Sequence, residues 1–123
     1  MHLVPPARAH LHVIDEHRAC QAIGELPEPD ELLRQCRLFA LLGDPTRLTL
    51  LRCIHAAEPI AVTDLIVATG LNDTTVSQAL RLLRARGAVL ADRDGRVLRY
   101  RINDPAVLAL LSETTTRPSA PQL

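Results

Sequence analysis

The sequence predicts a mainly α fold carrying one β-hairpin, in the order α-α-α-α-β-β-α, and three observations support it. Residues 62–86 read as a short helix, a turn at Gly70 and a second helix. Residues 88–102 alternate apolar and polar side chains about an Asp-Gly pair, which is the pattern of a hairpin. Apolar residues recur at helical spacing through 30–42, 44–55 and 104–111, on either side of that central stretch.

The first core helix is expected from Asp30, where Asp30 and Glu31 place negative charge at the positive end of the helix dipole. Leu32, Leu33, Cys36, Phe39, Ala40 and Leu42 form its apolar side, and Cys36 there reads as a small buried hydrophobe. Gly43 breaks this helix. Asp44 caps the next one, with Pro45 at the first position, where a missing N–H does no harm; Leu48, Leu50, Leu51 and Ile54 supply its buried side. The third helix has Thr63 or Asp64 as its cap and stops at Gly70, because glycine adopts the left-handed closing conformation without strain. Asn72 caps the fourth helix, from Asp73 to about Arg86, in which Val76, Leu80 and Leu83 recur at i, i+4 and i+7 as one buried stripe. In the hairpin, Leu98, Tyr100 and Ile102 share one face and Val97, Arg99 and Arg101 the other, with Asp94-Gly95 turning the chain back to residues 88–91. A last helix starts at Asp104-Pro105 and carries Val107, Leu108, Leu110 and Leu111. Prolines bracket residues 1–29 as an N-terminal His-rich arm; residues 30–113 form the domain, and residues 114–123 have the composition of a frayed tail.

The outward face of the fourth helix carries the plainest chemistry. It begins with Thr74, Thr75, Ser77 and Gln78 and ends in Arg81 and Arg84, short hydrogen-bonding groups that can approach base edges followed by cations that suit phosphates. Between Thr74 and Arg101 there are seven arginines against the two acids Asp92 and Asp94, a local surplus of five positive charges in a chain whose formal net charge is zero. Segregation of this kind is the electrostatic footprint expected for a polyanion, and the partner it indicates is double-stranded DNA. Arg93, Arg96 and Arg99 extend that footprint along the hairpin.

With 123 residues the chain amounts to one domain, and a monomer of that size is marginal, so self-association is expected. All 14 basic residues are arginine. No apolar run approaches the ~18 residues of a membrane span and no secretion signal is evident, which places the protein in the cytoplasm and away from membranes. Three cysteines, at 20, 36 and 53, form no CxxC pair and fit reduced thiols rather than a disulfide framework. There is no HExxH helix, phosphate-binding glycine loop or nucleophile with a partnered base, so an enzyme is not expected.

Five motifs in order, Leu42-Gly43-Asp44-Pro45-Thr46-Arg47-Leu48, Val62-Thr63-Asp64-Leu65, Val76-Ser77-Gln78-Ala79-Leu80-Arg81-Leu82-Leu83, Gly87-Ala88-Val89 and Asp94-Gly95-Arg96-Val97-Leu98-Arg99-Tyr100-Arg101-Ile102, resemble the ArsR/SmtB family of winged-helix repressors. The resemblance covers roughly residues 30–111. It implies a winged helix-turn-helix, a homodimer joined through the first and last core helices, and repression relieved by a metal ion. It also implies a structural or phosphate contact for Arg47. The family usually has histidine where Gln78 stands, so base preference does not carry over.

Two metal sites of that family are missing. Where many members have a Cys-Val-Cys-Asp-Leu pattern, this chain has Ala61 and Thr63, leaving Asp64; at the last helix Asp104 is present, but Pro105 and Ala106 replace histidines. The resemblance leaves the arm. His10, His12, His17 and Cys20, with Asp64 as a further contributor, offer imidazole, thiolate and carboxylate donors suited to Zn, Ni or Co. The same arm reads equally as solvated chain or as a short amphipathic helix packing Val13, Ile14 and Cys20. An alternative regulator of the same fold is metal-independent and uses Cys20 or Cys53, near Arg18 and Arg52, as a thiol switch.

Overall fold

The computed structural model describes residues 4–8 and 11–114, which divide into two compact units between Cys36 and Arg37. The first contains a 3-10 turn, Pro6–Arg8, then α1 (Glu16–Gly24) and the start of α2 (Pro29–Leu42). The arm is therefore partly helical. Asp15 caps α1 by accepting from the Arg18 backbone N–H at 3.1 Å, and its other oxygen accepts from Arg18 Nε at 3.0 Å. On α2 the Arg34 guanidinium forks onto Glu31 at 2.9 and 2.6 Å; with the Gln35 amide it holds the Glu31 carboxyl below the ordinary value.

The second unit holds the rest of α2, then α3 (Pro45–Ala57), β1 (Ile60–Ala61), α4 (Val62–Thr69), α5 (Asp73–Ala85), β2 (Val89–Asp94), β3 (Val97–Ile102) and α6 (Pro105–Glu113). Most boundaries fall where the capping chemistry put them. Asp44 accepts from the Arg47 N–H at 2.9 Å with Pro45 just inside α3, and Asp104 accepts from the Ala106 N–H at 2.9 Å with Pro105 just inside α6. Gly70 ends α4 at φ +71° and Gly87 follows α5 at φ +74°.

The core of this unit draws on α3, α4, α5, β2, β3 and α6. Leu50, Leu51 and Ile54 from α3, Leu65 from α4 and Val76, Leu80 and Leu83 from α5 pack with Ala88, Val89, Tyr100, Ile102, Val107 and Leu111. Two arginines tie helix ends to α3. Arg47 donates to the Leu41 and Ala40 carbonyls at 2.8 and 3.0 Å, closing the C-terminus of α2, so its role is structural. Arg52 reaches the C-terminus of α6, donating to the Leu111 carbonyl at 3.4 Å, to Thr114 Oγ1 at 2.7 Å and to the Thr114 carbonyl.

Four details differ from the sequence expectation. A third strand, β1, pairs antiparallel with β3 (Ile60 with Tyr100, Ala61 with Arg99), giving the sheet order β1-β3-β2; two residues are too few to carry an alternation. Neither Thr63 nor Asp64 caps α4: the N-cap is Ala61, which makes no side-chain cap bond, because residues 60–61 are held in the sheet, and Asp64 instead lies in the first turn. The hairpin stays paired to Asp94 and Val97, so its turn is Gly95-Arg96, with Gly95 at φ +63°. Glycine first and a negative φ second is the two-residue arrangement whose twist matches the strands. Cys36 is exposed, and no residue of α2 is buried among the described residues.

Leu51→Ala is expected to lower the free energy of unfolding by roughly 2–5 kcal/mol, since it opens a cavity at a fully buried site, and Asp44→Ala by about 1 kcal/mol through the lost cap. Denaturant titrations followed by far-UV circular dichroism at one fixed protein concentration check both.

Candidate nucleic-acid interface

Helix α5 is positioned from inside outward. Val76, Leu80 and Leu83 are fully or almost fully buried, and at 3.6 residues per turn this forces Thr74, Ser77, Gln78, Arg81 and Arg84 onto the opposite side, where all five are exposed. Thr75 is half-buried, and its backbone N–H donates to Asn72 Oδ1 at 2.8 Å, so its first service is to the cap. Arg86, the C-cap residue, is exposed as well.

Beside this face lies a cleft of about 490 Å³ lined by Val62, Ser77, Leu80, Arg81, Arg84, Ala85 and Tyr100. The lining combines apolar side chains with two guanidinium groups and the hydroxyls of Ser77 and Tyr100. Tyr100 belongs to the inner face of the sheet, together with Val89, Ala91, Leu98 and Ile102, so that face and α5 line one recess.

The wing divides its arginines by face. Strand register places Arg93 on the inner face with Leu98 and Tyr100, while Arg99 and Arg101 share the outer face with Asp92 and Asp94. There they are paired: Arg99 Nε lies 3.3 Å from Asp94 Oδ2, and Arg101 Nε lies 2.8 Å from Asp92 Oδ2. Arg81, Arg84, Arg86, Arg93 and Arg96 have no ion pair among the described residues. Of the seven arginines read as a footprint, two are matched by the only two acids in that stretch. Sequence reasoning missed this pairing, although the spacing of 92 and 94 against 99 and 101 could have disclosed it once the turn was placed at Gly95-Arg96.

The candidate metal donors are less assembled. His10 lies outside the described residues. His12 is exposed in the stretch before α1; His17 and Cys20 sit one turn apart on α1, the first exposed and the second half-buried. Among the described residues no three His, Cys, Asp or Glu side chains gather where they could hold an ion, and Asp15 is taken up by Arg18. Asp64 is exposed in the first turn of α4, where its charge suits the helix dipole. Cys53 is half-buried on α3. No helix among the described residues is long and apolar enough to cross a membrane.

A helix-turn-helix whose second helix is exposed beside a hairpin wing is the architecture of winged-helix DNA-binding regulators. No family model matches the sequence. The chain is 33% identical over 93 residues to the "Transcriptional repressor SmtB homolog" of Synechocystis, covering 76% of this chain and 70% of that one. It is 40% identical over 92 residues to the "Probable mercury resistance operon repressor" of Streptomyces lividans, covering 73% and 70%. To the "HTH-type transcriptional regulator NmtR" of Mycobacterium tuberculosis it is 42% identical over 72 residues, a match that covers 58% of this chain and only 59% of that relative's length. Among solved structures, the transcriptional repressor PagR of Bacillus anthracis superposes with a TM-score of 0.65 at 26% identity, covering 72% of this chain and 100% of that one. The chain belongs to the ArsR/SmtB family of winged-helix transcriptional repressors.

Asn72→Ala removes the bond that organises the first turn of α5. The expected loss is about 1 kcal/mol of stability, with amide exchange accelerated first at residues 74–76. Hydrogen-exchange mass spectrometry or NMR reads this directly; equal acceleration across α3 would contradict a local cap.

Proposed function

We propose that the chain acts as a homodimer that binds double-stranded operator DNA through α5 and the wing, and that effector binding at the N-terminal arm releases it. The observation that carries the DNA reading is the composition of the outward side of α5: hydroxyl and amide groups at its start, then arginines that have no partner among the described residues. Gln78 reads adenine through N6 and N7, Thr74 and Ser77 contact bases or phosphates at the same end, and Arg81, Arg84, Arg93 and Arg96 hold the backbone. Two copies of α5 in successive major grooves would stand about 34 Å apart.

Support for the dimer comes from apolar side chains that are exposed among the described residues. On α2, Leu32, Leu33 and Phe39 are 49%, 50% and 61% exposed, and on α6 Leu108 is 42% exposed. These are the two helices through which the family resemblance implies association, and a dimer would also cover Cys36.

The effector reading rests on donor chemistry and on relatives such as the probable mercury resistance repressor, and it is not supported by an assembled site. His17 and Cys20 are two donors on one helix, whereas a closed site for Zn takes four. The remainder would come from His10, from His12 after rearrangement, or from Asp64 or other donors of a second chain. A coupling of about 1–3 kcal/mol between effector and operator is sufficient for regulation. The thiol-switch alternative is weaker at Cys53, because the neighbouring Arg52 guanidinium is committed to the end of α6.

Fluorescence anisotropy with duplex DNA from the region upstream of the protein's own gene tests both parts. Gln78→Ala should relax base discrimination at one position by about 1–3 kcal/mol; Arg81→Ala should weaken binding to all sequences alike and reduce the salt slope by about 1. Equal losses of both kinds in both variants would contradict the assigned roles. Zn, Ni or Co should release the DNA, and joint replacement of His10, His12, His17 and Cys20 should abolish that release; a persisting response would exclude the arm. Release by peroxide but not by metal would favour the thiol switch.

A further inference from the structure

The outer face of the wing is built as a cationic surface and then neutralised in place. Val97, Arg99 and Arg101 of β3 and Leu90, Asp92 and Asp94 of β2 share that face, and each acid sits diagonally across from the arginine it pairs with. The opposite, inner face lines the recess beside α5 through Tyr100 and carries Arg93 toward the wing tip. A DNA duplex drawn to Arg99 and Arg101 would therefore engage the side of the sheet turned away from α5.

We propose that Asp92 and Asp94 are specificity-determining residues: they silence Arg99 and Arg101, so that phosphate is attracted only to the side of the wing that α5 shares. The inference rests on the DNA-binding reading above and deepens it by separating the wing arginines into those that bind and those kept from binding.

The physics favours a field effect over a mechanical clamp. The side chains of Asp94 and Asp92 are 75% and 59% exposed, and ion pairs in such settings are weak, so neither arginine is locked away. The acid acts because a phosphate approaching the guanidinium must also approach a carboxylate about 3 Å from it, within the screening length of about 10 Å at 0.1 M salt. Non-specific DNA binding is almost wholly electrostatic and scales with the number of phosphates engaged. Two more available arginines would raise it steeply, and operator binding, which also depends on base contacts, would rise less.

The test compares a duplex from the upstream region with a shuffled duplex of equal composition, by anisotropy across a salt series. For Asp92→Asn/Asp94→Asn the affinity for shuffled DNA should increase roughly three- to tenfold at 0.1 M salt, with a slope steeper by up to about 2, and the operator-to-shuffled ratio should fall. Adding Arg99→Gln and Arg101→Gln to that variant should return the shuffled affinity to the wild-type value. Glu25→Gln/Glu28→Gln, which adds the same charge in the other unit, should give no comparable gain. The proposal is overturned if slope and ratio are unchanged, if the arm variant gains equally, or if Asp92→Asn/Asp94→Asn loses operator binding. In that last case the acids would be supports for an operator contact by Arg99 or Arg101. Should the double variant melt early, Asp94→Asn alone, which frees only Arg99, carries the same comparison at about half the slope change. Failure of the wild-type chain to bind any duplex in a salt-dependent way would instead remove the DNA reading itself.

Discussion

The contact on which the rest depends is the inward stripe of α5 against α3 and the sheet. Val76, Leu80 and Leu83 occupy one side of a 13-residue helix, and once they are buried the helix has no rotational freedom left. The presentation of Gln78 and Arg81 to solvent is thus a by-product of core packing. The same core fixes the wing, since Val89, Tyr100 and Ile102 pack in the cluster that holds α5. Helix α5 and the wing are consequently positioned by one set of buried side chains.

Electrostatics acts on top of that frame and only locally. The chain is formally neutral, so long-range attraction to DNA cannot come from net charge. A cationic surface arises instead from the arginines of the second unit that have no ion pair among the described residues, while the two acids of the wing lie on the outer face of the sheet. Position of the acids, more than number of arginines, decides which surface is cationic. Two further arginines have structural duties: Arg47 and Arg52 close the ends of α2 and α6 from α3.

The parts of the fold legible in the sequence are those in which one residue type has one dominant use. Gly70 and Gly87 end helices through left-handed backbone, Asn72 and Asp44 cap them with a side-chain oxygen, and the 3.6-residue spacing of Val76, Leu80 and Leu83 points at a core. What escaped depends on pairing between distant residues. Strand β1 is defined only by its partner Arg99 and Tyr100; the cap of α4 was misassigned because Ala61 is held by that same pairing and needs no side-chain bond. The turn slipped by one residue because Asp94-Gly95 looks like a self-contained pair, whereas Asp94 is the last rung of the ladder and accepts from Arg99. Cys36 was read as buried from its place on an apolar side. Among the described residues that side is open, and apolar spacing by itself does not name the surface that would cover it. The outward side of α5 was legible except at Thr75, which is half-buried; the pairing state of the wing arginines was not.

The most direct test of the account is a backbone amide NMR titration of the protein with a duplex from its own upstream region. If the inward stripe of α5 dictates the binding surface, perturbations will concentrate at residues 72–86 and 93–96, with the buried turns of α3 around Leu50, Leu51 and Ile54 little changed. Perturbations centred on α6, or on 99–101 with α5 unmoved, would contradict it.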